Sequence, residues 1–396
     1  MLVLDRSKAL AIPPLWRLAF RPFFLFGSLL ALIAIPLWIA IWTGQLGGWR
    51  PSGGWLAWHR HEMLYGFGVA IVAGFLLTAV QNWTGRPGLS GKPLMALALL
   101  WLAARLGWLL GLPVVLLIPL DGLFLPLVAA SLGLQLTRVR QRRNYPMVAV
   151  LLLLALTNAQ TLAGLALGDD GLQRRGVLAG LWLVAALMGL IGGRVIPFFT
   201  QRGLGRSEAV APWPVLDIAL LIGTLLVALA HAGGLALLPN RALGGLFAVL
   251  ALGHAVRLLR WHDRGLWRVP LLWSLHLAML WLVVACLGLA AWHLGLAVNP
   301  SGYLHALTVG AMSGLILAMI ARVTLGHTGR PLQLPGGMAA AFVLLNLGAA
   351  ARVFLAGRWP LEGLWLAAGC WTAAFALYAW RYAPMLVRAR VDGHPG

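Results

Sequence analysis

The chain has 396 residues, of which 61% are hydrophobic and only 10% are charged, with a formal net charge of +20. A soluble domain is typically about a quarter charged, so this composition excludes an ordinary water-soluble protein and indicates an integral membrane protein. The excess of basic residues would also suit a nucleic-acid-binding protein. Here the arginines lie between apolar stretches of membrane length, so orientation in a bilayer explains them and no nucleic-acid partner is expected.

Twelve apolar runs in the chain are each long enough, at roughly 20 residues, to cross a bilayer as a helix. In chain order they cover residues 20–43, 60–81, 93–110, 114–137, 146–168, 177–199, 214–233, 241–261, 269–293, 302–323, 336–355 and 360–382. The connections between them are short and leave no room for a soluble domain. The sequence therefore predicts one all-α integral membrane domain over residues 1–396, with twelve transmembrane helices.

Lysine and arginine are distributed unevenly between the two sides of this predicted bundle. The N-terminus, the loops after every even-numbered helix and the C-terminus together carry 22 of them, whereas the loops of the opposite side carry 7. Positively charged loops stay on the cytoplasmic side of a membrane. Both termini are therefore predicted to be cytoplasmic, and the second and tenth helices run from the outside inwards.

A repeated pattern links the second and tenth helices. His61 is followed 23 residues later by Thr84-Gly85-Arg86-Pro87, and His305 is followed 23 residues later by Thr328-Gly329-Arg330-Pro331. A helix of that length rises about 34 Å, close to the thickness of the hydrocarbon core. Each copy predicts one spanning helix with a histidine at its start and a glycine turn at its end.

The sixth helix shares part of this ending. Arg194-Val195 recurs as Arg322-Val323 in the tenth helix, which is four spans later. Shared endings at this interval favour three tandem four-helix units, at residues 20–137, 146–261 and 269–382. Recurrence by chance is the alternative, because the chain is rich in arginine and glycine.

The two cysteines, Cys286 and Cys370, both lie within apolar runs. They provide no disulfide framework, no paired-cysteine metal motif and no CxxCH motif for covalent haem. Any metal site must therefore be built from histidine, carboxylate or methionine.

Histidines occur at paired depths in the predicted helices. His61 and His305 lie near the outer ends of the second and tenth helices, whereas His254 and His276 lie about 20 Å and about 25 Å deep in the eighth and ninth. A neutral imidazole is a good ligand for haem iron and for copper. We therefore predict one centre at His61 and His305 and a second at His254 and His276, with His327 as a further metal ligand. The alternative for each histidine is an interhelical hydrogen bond.

Polar residues beside these histidines are candidates for supporting roles. His59 is about 200° around the helix from His61, so it serves another centre or lies in the entry turn. Glu62 is predicted to hydrogen-bond His59, and Tyr65, one helical turn beyond His61, is placed to act near that site. Glu62 and Tyr65 are the candidate catalytic residues.

Three further charged residues lie within the predicted helices. Arg105 and Asp121 reach a similar depth on neighbouring helices and are expected to form a structural salt bridge. Arg257 would suit the propionate of a haem, or would extend along the helix to the cytoplasmic surface. The remaining histidines are expected at helix ends or in loops, where solvation accounts for them: His231, His262, His293 and His394.

Several segments of the chain resemble the NnrS family of bacterial inner-membrane proteins. They are Phe20-Arg21-Pro22-Phe23-Phe24, Trp58-His59-Arg60-His61-Glu62-Met63, Gly74-Phe75-Leu76-Leu77-Thr78-Ala79, Asn82-Trp83-Thr84-Gly85, Gly193-Arg194-Val195-Ile196-Pro197-Phe198-Phe199, Leu272-Trp273-Ser274-Leu275-His276, His305-Ala306-Leu307 and Arg322-Val323-Thr324-Leu325-Gly326-His327-Thr328-Gly329-Arg330. The resemblance implies a polytopic protein that contains haem b and copper and is linked to nitric oxide and nitrosative stress.

The placement of His61 and His305 is also similar to that of the low-spin haem ligands of haem–copper oxidases, which are twelve-helix proteins. The chain lacks the copper ligands that those enzymes carry on their sixth and seventh helices, so the analogy covers the haem alone.

From these observations we expect a haem and copper protein that binds nitric oxide and reduces it to nitrous oxide with electrons from a donor that the sequence does not identify. One alternative is a protein that binds nitric oxide or metal nitrosyls without turnover. Another is a transporter of a metal or small solute with a histidine-lined path. The small number of acidic residues within the spans disfavours proton-coupled transport.

Overall fold

The computed structural model describes residues 6–395, and every regular element in that part of the chain is helical. Twelve of the described helices are long and apolar enough to cross a membrane, which confirms the predicted all-α class. They are α1 (Phe20–Trp42), α2 (Gly54–Thr84), α3 (Gly91–Leu109), α4 (Val114–Arg138), α5 (Arg142–Leu167), α6 (Asp170–Gly203), α7 (Pro214–Ala232), α8 (Arg241–Trp261), α9 (Pro270–His293), α10 (Ser301–His327), α11 (Met338–Leu355) and α12 (Pro360–Val387).

Most helix ends lie within a few residues of the prediction, but α6 begins seven residues and α2 six residues earlier than predicted. Helix α2 begins at Gly54 because the backbone is already helical through Trp55-Leu56-Ala57-Trp58. Hydropathy locates the apolar part of a helix, whereas its end depends on backbone geometry. Gly53 and Gly85 flank α2 in the left-handed region, with φ of 69° and 65°, and end the helix there. His59 and His61 therefore lie inside α2 rather than in an entry turn.

The described helices form two compact units. The first contains the chain up to Val177 together with Ile320–Pro335 and the residues from Phe375 onwards, and the second contains Leu178–Met319 and Gly336–Ala374. These units come from the packing of the helices. The division into three tandem four-helix units remains a prediction, as does the cytoplasmic position of both termini.

In the first unit, α1 and α2 approach each other closely because small residues lie between them. A side chain at Gly74 would place its Cβ 2.9 Å from the Cβ of Phe23, so only glycine fits there. Thr78, one helical turn further along α2, accepts a hydrogen bond from the backbone N–H of Phe20 at 2.9 Å. Close packing of this kind is the usual basis of helix association in a membrane, and it holds α2 in place against α1.

The backbones of α2 and α10 share a local change of geometry. Each becomes π-helical immediately after its predicted histidine: over Glu62–Gly68 after His61, and over Ala306–Met312 after His305. A π-helical turn inserts one extra residue into the helical ladder and is frequent at functional sites. The similarity of α2 and α10 thus extends from their sequences to their backbones.

A tryptophan packs on a glycine in each π-helical segment. In the first unit, Trp101 donates its indole N–H to the carbonyl oxygen of Gly66 at 3.1 Å. In the second unit, Gly310 lies directly against the ring of Trp281, where a larger residue would collide with the indole. Both glycines lie five residues after the histidine, so the two segments also match in what packs on them.

Candidate functional site

The buried side chain of His61 is the centre of a polar cluster in the first unit. Its Nδ1 lies 3.1 Å from Oε1 of Glu62, and its Nε2 lies 3.1 Å from Oδ1 of Asn158 and 3.4 Å from Oδ1 of Asp121. The π-helical turn at Glu62 brings consecutive residues of α2 together around one imidazole. We call His61, Glu62, Arg105, Asp121 and Asn158 the His61 cluster.

Arg105 of α3 joins the two carboxylates of the His61 cluster. Its Nε lies 3.1 Å from Oε2 of Glu62, and its Nη2 forms an ion pair with Oδ2 of Asp121. Asp121 also accepts hydrogen bonds from the indole N–H of Trp108 at 2.9 Å and from Nδ2 of Asn158 at 2.8 Å. The salt bridge predicted between Arg105 and Asp121 is confirmed, and it belongs to a larger network.

The hydrogen bonds of Asn158 determine what the imidazole of His61 meets. An ionised carboxylate only accepts, so the amide Nδ2 of Asn158 faces Asp121 and the amide oxygen faces His61. Both ring nitrogens of His61 therefore face oxygen acceptors. Two N–H donors on one imidazole correspond to an imidazolium, and His61 and Arg105 would then balance the carboxylates of Glu62 and Asp121. Buried charges are tolerated when they are paired and hydrogen-bonded in this way.

Aromatic side chains enclose the His61 cluster. The indole of Trp108 stacks on the imidazole of His61 with ring centroids 4.1 Å apart, and the ring of Tyr65 lies 5.1 Å away. The hydroxyl of Tyr65 donates to the carbonyl oxygen of Gly176 at 2.9 Å. These rings exclude water from the His61 cluster and strengthen its electrostatic interactions.

His61, Glu62 and Asp121 could also present ligand atoms to a metal ion, because one such atom from each lies within 4.8 Å of the others. In this structure the guanidinium of Arg105 already contacts both carboxylates. A metal ion would add positive charge to a cluster whose two carboxylates Arg105 and an imidazolium at His61 would already neutralise. The residues therefore fit a cluster that holds protons better than one that holds a metal.

His59 lies in a different environment from His61. Its ring is nearly parallel to that of Trp38, with centroids 4.5 Å apart and an interplanar angle of 7°. Arg60, which lies between His59 and His61 in the sequence, forms an exposed ion pair with Asp170 at 2.6 Å. Glu62, which the spacing assigned to His59, hydrogen-bonds its neighbour His61.

His305 in the second unit is oriented as a metal-binding histidine usually is. Its Nδ1 donates to the carbonyl oxygen of Ser301 at 2.7 Å, and the hydroxyl of Ser301 accepts from Arg352 at 2.8 Å. When the ring is neutral, donation from Nδ1 leaves the lone pair on Nε2, which is the arrangement of most histidines that ligate a metal. His305 therefore fits the role of a haem or copper ligand.

The predicted second centre lies in the second unit. His276 donates from Nδ1 to the carbonyl oxygen of Leu272 at 3.0 Å, and its Nε2 lies 3.4 Å from the carbonyl oxygen of Trp261. Nδ1 of His254 is buried without a hydrogen-bond partner in the described part of the chain. Both histidines are buried, and their pairing at one centre stays a prediction.

Arg257 is buried in the second unit and does not extend to the surface. Its Nη2 donates to the carbonyl oxygen of Gly189 at 2.7 Å and pairs with Asp217 at 3.1 Å, and its guanidinium lies 4.8 Å from the centre of the Trp261 ring. A side chain at Gly193 would collide with that guanidinium. Because Gly193 leaves room beside α6 and Asp217 supplies the counter-charge, Arg257 stays buried in the second unit.

The remaining predicted ligand, His327, lies at the end of α10 in the first unit. It is within 5.4 Å of the ring of Phe20, measured between centroids, and its backbone carbonyl accepts from Arg390 at 3.0 Å. No described contact joins His327 to the histidines of the predicted second centre, so its role as a metal ligand stays a prediction.

The prediction of solvated histidines was wrong for His231 and His293. Both are buried in the second unit, and their Nδ1 atoms bond the carbonyl oxygen of Val227 and the backbone N–H of Asn240 respectively. They lie at helix ends, as expected, but aromatic side chains cover them, with Phe247 stacked 5.3 Å from His293. Position along a helix does not show what its neighbours cover.

Two residues of the site had no role in the sequence-based prediction, Asn158 and Trp108. A signal for Asn158 was present, because it lies with Thr157 and Thr161 in the apolar part of α5, and polar residues one turn apart in a span mark an inward face. Trp108 gave no such signal, since tryptophan near a helix end is usual at a membrane interface.

The comparisons with known proteins agree with this architecture. The model of the family described as NnrS protein matches residues 14–390, which is nearly the whole chain. No curated protein matches the chain.

Proposed function

The chain belongs to the NnrS family, and from this membership and the buried site we propose that it is a haem and copper protein of the bacterial inner membrane that binds nitric oxide and reduces it to nitrous oxide. The membership indicates a nitric-oxide-related membrane protein with haem or another metal. Binding and turnover of nitric oxide are the finer parts of the proposal.

The observation that carries the proposal is the His61 cluster. Reduction of two nitric oxide molecules to one nitrous oxide and one water consumes two electrons and two protons. Buried charges within a membrane protein are costly and usually functional. In the His61 cluster, an imidazole with acceptors on both nitrogens lies beside Glu62, so this site can hold a proton and release it without contact with water.

Glu62 is the proposed proton relay of the His61 cluster. The proton that His61 holds on Nδ1 moves to Oε1 of Glu62, which leaves a neutral imidazole, and Glu62 then passes that proton on while Arg105 stays beside its Oε2. Tyr65 keeps the ring in place from one side and Trp108 from the other. Electrons would come from an external donor.

Histidines of the second unit are the proposed cofactor ligands. His305 fits this role through its Nδ1 hydrogen bond, and His254 and His276 are the proposed second set, with Arg257 available to an anionic cofactor group. A bound haem or copper would supply the atom that binds nitric oxide and the path for electrons. Ligation by His61 would replace its Nε2 contact with Asn158, so the sharing of one haem by His61 and His305 stays a prediction.

Turnover tests this proposal. Purified protein supplied with haem, copper, a chemical reductant and nitric oxide is expected to form nitrous oxide. The variant Glu62→Gln should lower the rate about a hundredfold, because general acid–base groups contribute roughly that much or more, and should keep the haem content of the unaltered protein. Asp170→Asn, which changes an exposed carboxylate, is the matched control and should leave the rate unchanged.

The same experiment identifies the second candidate function, binding of nitric oxide without turnover. The ion pairs of Arg105 with Glu62 and Asp121 favour binding without turnover, since a cluster fixed by these pairs could stabilise the fold and take no part in proton transfer. A nitric oxide complex without nitrous oxide would contradict the reductase proposal and leave a binding protein. Normal turnover in Glu62→Gln would contradict the role given to Glu62.

A further inference from the structure

The side chain of Arg21 has an unsatisfied and deeply buried edge. Arg21 is 0% exposed, and its Nη1 donates to the carbonyl oxygens of Met385, Leu386 and Arg388, at 3.3, 2.9 and 2.7 Å, at the end of α12. Its Nε and Nη2 are buried and have no hydrogen-bond partner among the residues that the structure describes. A buried N–H group of a cation costs free energy when it has no acceptor, so we expect an acceptor to bind at this edge.

Nε and Nη2 lie on the same side of a guanidinium, and elsewhere in this chain that edge holds a carboxylate. Arg206 donates from Nε and Nη2 to the two oxygens of Asp263, at 2.9 and 3.0 Å. Arg390 donates from the same two atoms to Asp392, at 2.9 and 2.5 Å. The spacing of this edge matches two oxygens of a carboxylate or a phosphate. The unpartnered edge of Arg21 is therefore shaped for an oxyanion.

The charges around Arg21 favour an anion with more than one negative charge. Arg17, Arg330 and Arg390 are close enough to repel the guanidinium of Arg21, and Asp392 pairs with Arg390. Hydrogen bonding to Arg390 holds the pKa of Asp392 well below its usual range, so that carboxylate stays ionised and paired. The end of α12 offsets only about half a charge, which leaves an excess of positive charge among these groups.

The chain's own C-terminal segment holds these arginines together. The backbone N–H of Val391 donates to the carbonyl oxygen of Thr328 at 3.3 Å, Arg390 donates to that of His327 at 3.0 Å, and Arg17 donates to that of Pro395 at 3.4 Å. These contacts bring the start of α1, the turn after α10 and the residues after α12 into one place. The acceptors are backbone carbonyls, so the contacts position the arginines without neutralising them.

We propose that Arg21, with Arg17, Arg330 and Arg390 around it, binds a phosphate-type oxyanion, which is either inorganic phosphate or the phosphate of a lipid headgroup. The proposal stands on the unpartnered guanidinium edge and the local excess of positive charge. It does not depend on the function proposed above.

Two measurements on the full chain in maltoside detergent test whether Arg21 binds a phosphate and distinguish inorganic phosphate from a lipid headgroup. Inorganic phosphate, titrated at constant ionic strength against chloride, is expected to raise the Tm saturably, and Arg21→Lys should weaken the apparent affinity about tenfold or more because lysine lacks the two-atom edge. Native mass spectrometry of the same samples reports retained phospholipid. Lipid bound to the unaltered protein and lost in Arg21→Lys would identify the headgroup as the source.

Further variants keep the test decisive. Arg206→Lys changes an exposed arginine that uses the same edge, and it should bind phosphate or lipid like the unaltered protein. If Arg21→Lys does not fold, Arg330→Gln should weaken binding several-fold through the loss of a neighbouring charge. Equal binding by the unaltered protein, Arg21→Lys and Arg330→Gln would overturn the proposal.

Discussion

At the scale of single residues, the pairing of Arg105 with Asp121 was predictable because charges are rare in these helices and two of opposite sign at one depth must meet. The pairing of Glu62 with His61 was not. Helical spacing assigned Glu62 to His59, whereas the π-helical turn places it beside the preceding residue. A sequence shows which residues carry charge within the membrane, but a local change in the backbone decides which of them touch.

Loss of Asp121 should be costly because Arg105 would lose one of its two buried counter-charges and would keep only Glu62. We expect Asp121→Asn to destabilise the protein by about 3–5 kcal/mol, the usual effect of removing one member of a buried ion pair. Asp170→Asn removes the partner of Arg60 at the surface and should cost at most about 1 kcal/mol. Unfolding in detergent with increasing denaturant measures both, and equally small effects would show that the His61 cluster contributes little to stability.

At the scale of helices, the apolar runs predicted the existence and order of all twelve spans. Their ends were less predictable, since α2 continues beyond the predicted start, through Trp58 and Trp55, until the left-handed Gly53 stops it. The matched π-helical segments of α2 and α10 had no signal of their own in the sequence. The repeated histidine and glycine turn showed that the two helices are alike, and the structure adds how their backbones are alike.

The π-helical segment of α2 depends on a glycine. A Cβ at Gly66 would lie 3.0 Å from Oε2 of Glu62 and 3.2 Å from Nη1 of Arg105, so Gly66→Ala forces the His61 cluster to shift. We expect it to destabilise the protein by about 1–3 kcal/mol, as overpacking does. Gly369 of α12 has open space around its Cβ position, so Gly369→Ala is the matched control. Equal stability of the two variants would mean that Gly66 is not required for packing.

At the scale of the whole molecule, composition and hydropathy predicted a polytopic helical membrane protein, and the family match over residues 14–390 agrees with it. The buried state of His231, His293 and Arg257 was beyond prediction. Burial of these residues depends on aromatic rings and glycines contributed by other helices, which no local pattern reveals. The arrangement of the chain into two compact units likewise depends on long-range packing.

The charge distribution predicts the orientation of the whole molecule. In a background with Cys286 and Cys370 changed to alanine, single cysteines report which side a loop faces. Gly47→Cys, between α1 and α2, should react with a membrane-impermeant thiol reagent applied to intact cells. Gly205→Cys, between α6 and α7, should react only after the cells are opened. The reverse pattern would contradict the cytoplasmic assignment of the termini.

We propose that this protein holds a haem through His305 and binds nitric oxide there. The visible spectrum of the purified, haem-supplied protein, recorded oxidised, reduced, and reduced with nitric oxide, tests it most directly. We expect sharp α and β bands on reduction that shift with nitric oxide, their loss in His305→Ala, and their retention in His394→Ala, which changes an exposed histidine. A folded protein without visible bands, or full bands in His305→Ala, would contradict the claim.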